Sequence, residues 1–191
     1  MRALILITAL LAWGGSSAQA QKPNERKGFW IGFGLGDGSA GADCQTLCTD
    51  NRSSGPSGYF RLGGTLSRKV LMGFETNVWG HSSGGIDESM GFGSLVVLWY
   101  PSRTGALYLK FGFGGMTYTE NDGANEITAT APSGSLGIGY EFRVGRNMSL
   151  VPYLNSLASS AVLTHLNGVP VTTGEDITLN LVQLGLGVTW H

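Results

Sequence analysis

From residue 28 onward the chain alternates bulky apolar residues with glycine or small polar ones, two residues to the repeat, which is the side-chain period of a β-strand. The segment LYLKFGFGGMTY at 107–118 has Leu107, Leu109, Phe111 and Phe113 on one face and Tyr108, Lys110, Gly112 and Gly114 on the other. GFWIGFGLG at 28–36 opposes Phe29, Ile31, Phe33 and Leu35 to Trp30, Gly32, Gly34 and Gly36. YFRLGGTL at 59–66 sets Phe60, Leu62 and Leu66 against Tyr59, Arg61, Gly63 and Thr65, and VLMGFETNVWGH at 70–81 sets Val70, Met72, Phe74 and Val78 against Gly73, Glu75, Asn77 and Trp79. SLGIGYEFRV at 135–144 and VQLGLGVTWH at 182–191 alternate in the same way. MGFGSLVVLWY at 90–100 is apolar on both faces at its end, so its phase stays open. The stretch at 148–165 alternates less cleanly around Pro152, which has no N–H to give a ladder. Eight strands are predicted.

Which face is inside follows from what each face could tolerate. A soluble sandwich or ligand-binding barrel would turn the glycine face to water, leaving a weakly ordered and aggregation-prone surface. Turned over, the apolar face meets lipid and the glycines line a narrow interior. Backbone groups in hydrocarbon must all be paired, which strands achieve only in a closed barrel, and an even strand number returns both ends to one side. The expected fold is therefore all-β, an eight-stranded antiparallel transmembrane up-and-down β-barrel. At eight strands the lumen is only wide enough for side chains to fill. Arg61, Glu75, Lys110 and Glu141 share the glycine-bearing phase, and buried charge survives only when paired, so an interior polar network is predicted and an open pore is not.

The connections divide by length and charge. Those at 67–69, 101–105 and 145–147 are short and carry Arg68, Lys69, Arg103 and Arg146. Those at 37–56, 82–89, 120–126 and 166–176 are read as long loops, and they hold Asp37, Asp43, Asp50, Asp87, Glu88, Glu120, Asp122, Glu126, Glu175 and Asp176. One end is basic and short, the other acidic and long.

Charged residues make up only 13% of the chain, and the formal net charge is −1, which gives no footprint for nucleic acid. The first twenty residues, MRALILITALLAWGGSSAQA, have a basic start at Arg2, an apolar run and a small-residue Ala-Gln-Ala site, the pattern of a signal peptide cleaved between Ala20 and Gln21. The organisation expected is a signal peptide over 1–20 and a barrel domain over 21–191. Cys44 and Cys48, four apart, then sit where a disulfide can persist; a small loop disulfide is expected over free thiols or half of a metal site, because the chain's histidines, His81, His165 and His191, supply no second ligand pair.

The signal peptide, the opening GFWIGFGLGDG, WYP at 99–101 ahead of a tight turn, LKFGFGGMTY, LGIGYEFRVGRNMSLVPYLN at 136–155 and the last strand ending in VTW together resemble the small outer-membrane β-barrel family of Gram-negative bacteria, the OmpA- and OmpX-type eight-stranded barrels. The resemblance implies a place in the cell outer membrane among its lipid and lipopolysaccharide. It also implies recognition by the outer-membrane assembly machinery, with Trp190 rather than His191 as the aromatic at the end of the last strand. A monomer without cofactor is expected, meeting a host or extracellular partner through its loops.

Some barrels of this architecture are lipid A deacylases that use a His-x-Ser pair facing lipid, and His81-Ser82-Ser83 has that spacing. His81 shares its phase with Glu75 and Asn77, however, which places it at the lumen rim with no aligned acid. Catalysis, metal binding and cofactor binding are accordingly not expected. The glycines of GFGLGDG and GFGG lie within strands, with no following helix to offer its N-terminus to a phosphate. The function expected is structural or surface-interacting: adhesion, surface defence or envelope integrity. A lipid-modifying enzyme built on His81 and Ser83, or a soluble ligand-binding barrel, are the competing readings.

Overall fold

The computed structural model describes residues 26–43, 52–159, 163–171 and 177–191. Its strands are β1 (Phe29–Asp43), β2 (Ser53–Ser67), β3 (Val70–Ser83), β4 (Ile86–Trp99), β5 (Leu107–Asn121), β6 (Glu126–Tyr140), β7 (Phe142–Arg143), β8 (Met148–Ser159), β9 (Leu163–Leu166), β10 (Val169–Val171) and β11 (Thr178–Trp190). Strands β1 to β6, β8 and β11 form an antiparallel ring in chain order, closed by β6 against β8 and by β11 against β1. Paired residues trace that closure. Gly139 of β6 faces Tyr153, which faces Gly185, then Gly36, Ser57, Trp79, Met90, Tyr118 and finally Ala129, back on β6 ten residues before the start. The offset is even, so all nine residues lie on the inner face; an odd offset would turn every side chain over at the seam.

The bulky apolar residues stand on the outside. Phe29, Phe33, Leu35, Phe60, Phe74, Leu95, Phe111, Phe113, Leu136, Leu154, Leu184 and Leu186 are all exposed, as a lipid-facing surface requires. On β3 this belt runs over residues 70–78; at about 3.4 Å per residue and a tilt of about 40° that is roughly 23 Å, close to the ~25 Å apolar band of such barrels. Trp99, Tyr140, Phe142 and Trp190 gather on the outside at the short-turn end, where an aromatic girdle belongs. The structure also settles the phase of β4: Phe92, Ser94, Val96 and Leu98 are buried inside, and Leu95 and Trp99 face out.

Beyond the belt, at the opposite end, the strands continue and their polarity reverses. The outside becomes glycine, serine and threonine, as at Gly93, Thr117 and Thr130, while the inside becomes an apolar cluster of Ala40, Trp79, Met90, Phe92, Met116, Ala129, Leu157, Leu179 and Leu181. Within the belt the arrangement is lipid outside and charge inside; in this collar it is water outside and hydrocarbon inside. The inversion marks where the solvent around the barrel changes. Phe74, 63% exposed in mid-belt, should therefore resist charge: Phe74→Arg is expected to cost about 2–4 kcal/mol in lipid vesicles, whereas Thr130→Arg in the collar costs close to nothing. Equal costs at both positions, measured by denaturant unfolding, would place the belt elsewhere.

Three readings of the sequence need correction. The acidic connections at 37–56, 82–89 and 120–126 are not long loops as read: β1 runs to Asp43 and β2 starts at Ser53, Gly84 and Gly85, both at positive φ, make a two-residue turn between paired strands, and 122–125 form a four-residue turn. Most of these acids stand on protruding strand ends. Residues 148–165 are not one strand, since β8 stops at Ser159 and β9 resumes farther along the same edge of β6, pairing with Ile127–Thr130 and forming a hairpin with β10 across Asn167 and Gly168. Residues 135–144 are likewise divided, because Glu141 turns its N–H to the Ala106 carbonyl between β6 and β7. The signal-peptide positions Ala20 and Gln21 and the cysteines Cys44 and Cys48 lie outside the described residues.

Candidate functional site: the filled lumen and its outer rim

Strand alternation brings Glu75 of β3 and Lys110 of β5 to the same depth inside the barrel, on opposite sides of β4. Lys110 Nζ donates to Glu75 Oε1 at 2.5 Å, both side chains fully buried, and Asn77 Nδ2 donates to the same oxygen at 2.9 Å. Arg61 is the register partner of Glu75 on β2, yet its guanidinium donates to Tyr108 Oη at 3.1 Å and Thr189 Oγ1 at 3.2 Å. It also lies 4.8 to 5.8 Å from the ring centroids of Tyr59, Tyr108 and Trp30. A planar guanidinium can be held by π faces as well as by carboxylates.

Glu141 stands apart from those three, at the short-turn end. Arg26 Nη2 reaches it at 3.2 Å, Tyr100 Oη at 2.6 Å and His191 Nε2 at 3.2 Å, and the Arg26 guanidinium lies 3.4 Å from the centroid of the Tyr100 ring. Between this cluster and the mid-lumen charges lies a second apolar group, Trp30, Leu71, Val96, Leu98, Tyr100, Tyr108 and Val151. From one end to the other, then, the lumen holds a charged cluster, an apolar layer, a charged layer and an apolar plug.

The tyrosines complete this filling by lying on glycines. A Cβ on Gly34 would overlap the Tyr59 ring and come within 2.8 Å of Tyr153, and one on Gly139 would overlap the Tyr108 ring. Tyr59 and Tyr153 meet edge to face with centroids 4.7 Å apart. The inward glycines are the sockets in which these rings sit.

At the outer rim, above the plug, is an open cleft of about 680 Å³ lined by Arg52, Ser54, His81, Ser83, Glu88 and Glu120 among others. Glu88 and Glu120 are register partners, and Tyr118 Oη donates to both, at 2.6 and 3.2 Å. Burial, together with these two carboxylates, pushes the Tyr118 phenol well above its ordinary pKa, so it keeps the proton that holds the acids together. His81 Nδ1 lies 2.9 Å from the Ser54 carbonyl, and its ring stacks on Trp79 with centroids 6.3 Å apart. His81 and Ser83 share the cleft on the lumen side, not the lipid side, and no hydrogen bond joins them among the described residues. In the neighbouring turn, Asp122 accepts from the N–H groups of Asn125 and Ala124, which holds its carboxyl below its ordinary pKa.

Sequence reasoning missed Arg26 and His191 as partners of Glu141, and it missed the β9–β10 hairpin. The hairpin had a signal, the Asn167-Gly168 pair at positive φ, the strongest short hairpin cue. Arg26 had none, because six residues beyond the expected cleavage position a single arginine looks like any surface charge. Trp190, expected to carry the assembly signal, faces outward beside Phe33, with ring centroids 5.6 Å apart.

The sequence matches the family described as outer membrane protein beta-barrel domain over residues 8–190. Similar solved structures include Neisserial surface protein A (TM-score 0.63, 11% identity, covering 85% of this chain and 96% of that one). Ail, the attachment invasion locus protein of Yersinia pestis, is similar with a TM-score of 0.53 at 11% identity, covering 86% of this chain and 99% of that one. The outer membrane protein OprG from Pseudomonas aeruginosa is similar with a TM-score of 0.50 at 12% identity, covering 87% and 98%. At these identities the likeness is one of fold. No curated protein sequence matches the chain.

Proposed function

Because the chain belongs to the outer membrane protein beta-barrel domain family and lies in the Gram-negative outer membrane, we propose that it is a non-enzymatic surface-interaction protein whose working part is the acidic collar outside the membrane. The observation that carries this reading is the contrast between the two parts of the barrel. Below the rim cleft the lumen is filled by the apolar plug, the Glu75–Lys110 layer and a second apolar group, which supports a working part outside it. The collar instead projects past the lipid belt on rigid strands and presents Asp37, Asp87, Glu88, Glu120, Asp122 and Glu126 around one rim. Fixed strand ends present charge at lower entropic cost than loops do. A partner that is basic, or that brings cations to bridge carboxylates, fits this rim. Adhesion and surface defence are the roles such a rim can serve.

The test is display on Gram-negative cells that lack the protein. Cells carrying the wild-type barrel are expected to bind a host-cell monolayer or survive serum better than cells with an empty vector. Replacing Asp87, Glu88, Glu120, Asp122 and Glu126 with their amides should remove most of that gain, while heat-modifiable gel mobility shows the barrel still folded. No gain from the wild type in either assay, or a gain untouched by neutralisation, would sink the reading.

A further inference from the structure

Among the described residues, the exposed or half-exposed bases other than Arg52 are Lys27, Arg68, Lys69, Arg103, Arg143 and Arg146, and every one of them lies at the short-turn end. They are spread over four of the five places where the chain passes that rim: before β1, between β2 and β3, between β4 and β5, and between β7 and β8, the fifth being the end of β11. Glu141, the acid described at this end, is buried and already paired. The rim is thus a nearly complete ring of positive charge. Four of these bases also sit within a few positions of an outward apolar side chain: Lys27 near Phe29, Arg68 near Leu66, Arg103 near Trp99 and Arg146 near Val144; Arg143, on the inner phase opposite Ser149, donates instead to the Gly145 and Arg146 carbonyls. At about 3.4 Å per strand residue, that is the distance from the hydrocarbon edge to the phosphates of a bilayer.

We propose that this ring binds anionic phospholipid headgroups of the periplasmic leaflet and gathers them as an annulus around the barrel. The distribution favours lipid over a protein partner. A protein would need its bases on one side of the rim, whereas these follow the whole circumference, as does lipid. The chemistry is a phosphodiester without a compensating ammonium, met by guanidinium and ammonium groups beside the Trp99 and Trp190 girdle.

Trp99 and Trp190 supply the readout, since at 40% and 36% exposure they face lipid at this rim, whereas Trp30 and Trp79 are buried in the lumen. The full barrel is reconstituted in mixed phosphatidylcholine and phosphatidylglycerol vesicles, with bromine on the acyl chains of one lipid or the other. Brominated phosphatidylglycerol is expected to quench as though enriched about two- to threefold over its bulk fraction at low salt, the excess fading by ~0.5 M salt. The variant R68Q/K69Q/R103Q/R146Q should quench equally with either lipid. Equal quenching by the two lipids in the wild type overturns the proposal, as does an excess that survives both salt and the variant. Sedimentation with purified cell-wall sacculi supplies the remaining arm: capture of the wild type but not the variant, without lipid enrichment, would assign the ring to the wall and overturn its assignment to lipid.

Discussion

Lys110→Met lowers the stability of the folded barrel by about 3 kcal/mol and Glu75→Gln by somewhat more, while the double variant recovers most of the loss. Removing one member of a buried ion pair leaves the other desolvated and uncompensated; removing both leaves a polar amide and an apolar chain, which the lumen tolerates better. The order of the single variants follows from Arg61. Without Lys110, Glu75 still has Asn77 at 2.9 Å and the Arg61 guanidinium on the facing strand. Without the Glu75 charge, Lys110 and Arg61 remain as two cations in one narrow lumen. Charge reversal should follow the same logic, with Glu75→Lys plus Lys110→Glu folding better than either change alone. Urea unfolding in detergent micelles, followed by tryptophan fluorescence, measures all of these. Equal defects in the two singles and the double would mean that the contact contributes nothing as a pair.

Gly34→Val prevents most of the protein from reaching the heat-modifiable folded form, and Gly139→Val does the same, whereas Gly93→Ala and Gly115→Ala on the outer face leave folding unchanged. Inside, the Cβ position of Gly34 is occupied by the Tyr59 ring with Tyr153 close behind, and that of Gly139 by Tyr108. Outside, nothing lies within 4 Å of a Cβ on Gly93 or Gly115. Overpacking a full core costs about 1–3 kcal/mol when neighbours can shift, and more here because the obstructing rings are themselves held by Arg61 and by each other. Shrinking the ring should relieve the clash, so Tyr59→Ser is expected to restore part of the folding of Gly34→Val. Absence of rescue, with Tyr59→Ser alone well folded, would show that the glycine matters for backbone reasons and not for space.

Much of this was legible in the chain. Strand alternation identified the belt strands, and a glycine face with few charges could belong only to an interior. The segregation of Arg68, Lys69, Arg103 and Arg146 from the acids required only the order of short and long connections. The collar was less legible, since SSGPSG at the start of β2 and EITATAPSG at the start of β6 have small residues on both faces, and without contrast there is no periodicity to detect. Gly84-Gly85 and Asn167-Gly168 were available as turn signals, but a turn signal does not say how far the flanking strands pair.

The sequence by itself determined the fold class, the outward face of most strands and the opposite charges of the two ends, because each depends only on residues close along the chain. The tertiary structure decided who meets whom inside: that Lys110 reaches Glu75 across β4, that Arg61 rests on tyrosine and tryptophan rings, and that Arg26 and His191 converge on Glu141. These contacts depend on the ten-residue stagger at which eight strands close, a property of the whole ring that no single strand encodes. Depth in the lumen, and with it the partner of every buried charge, follows from that stagger.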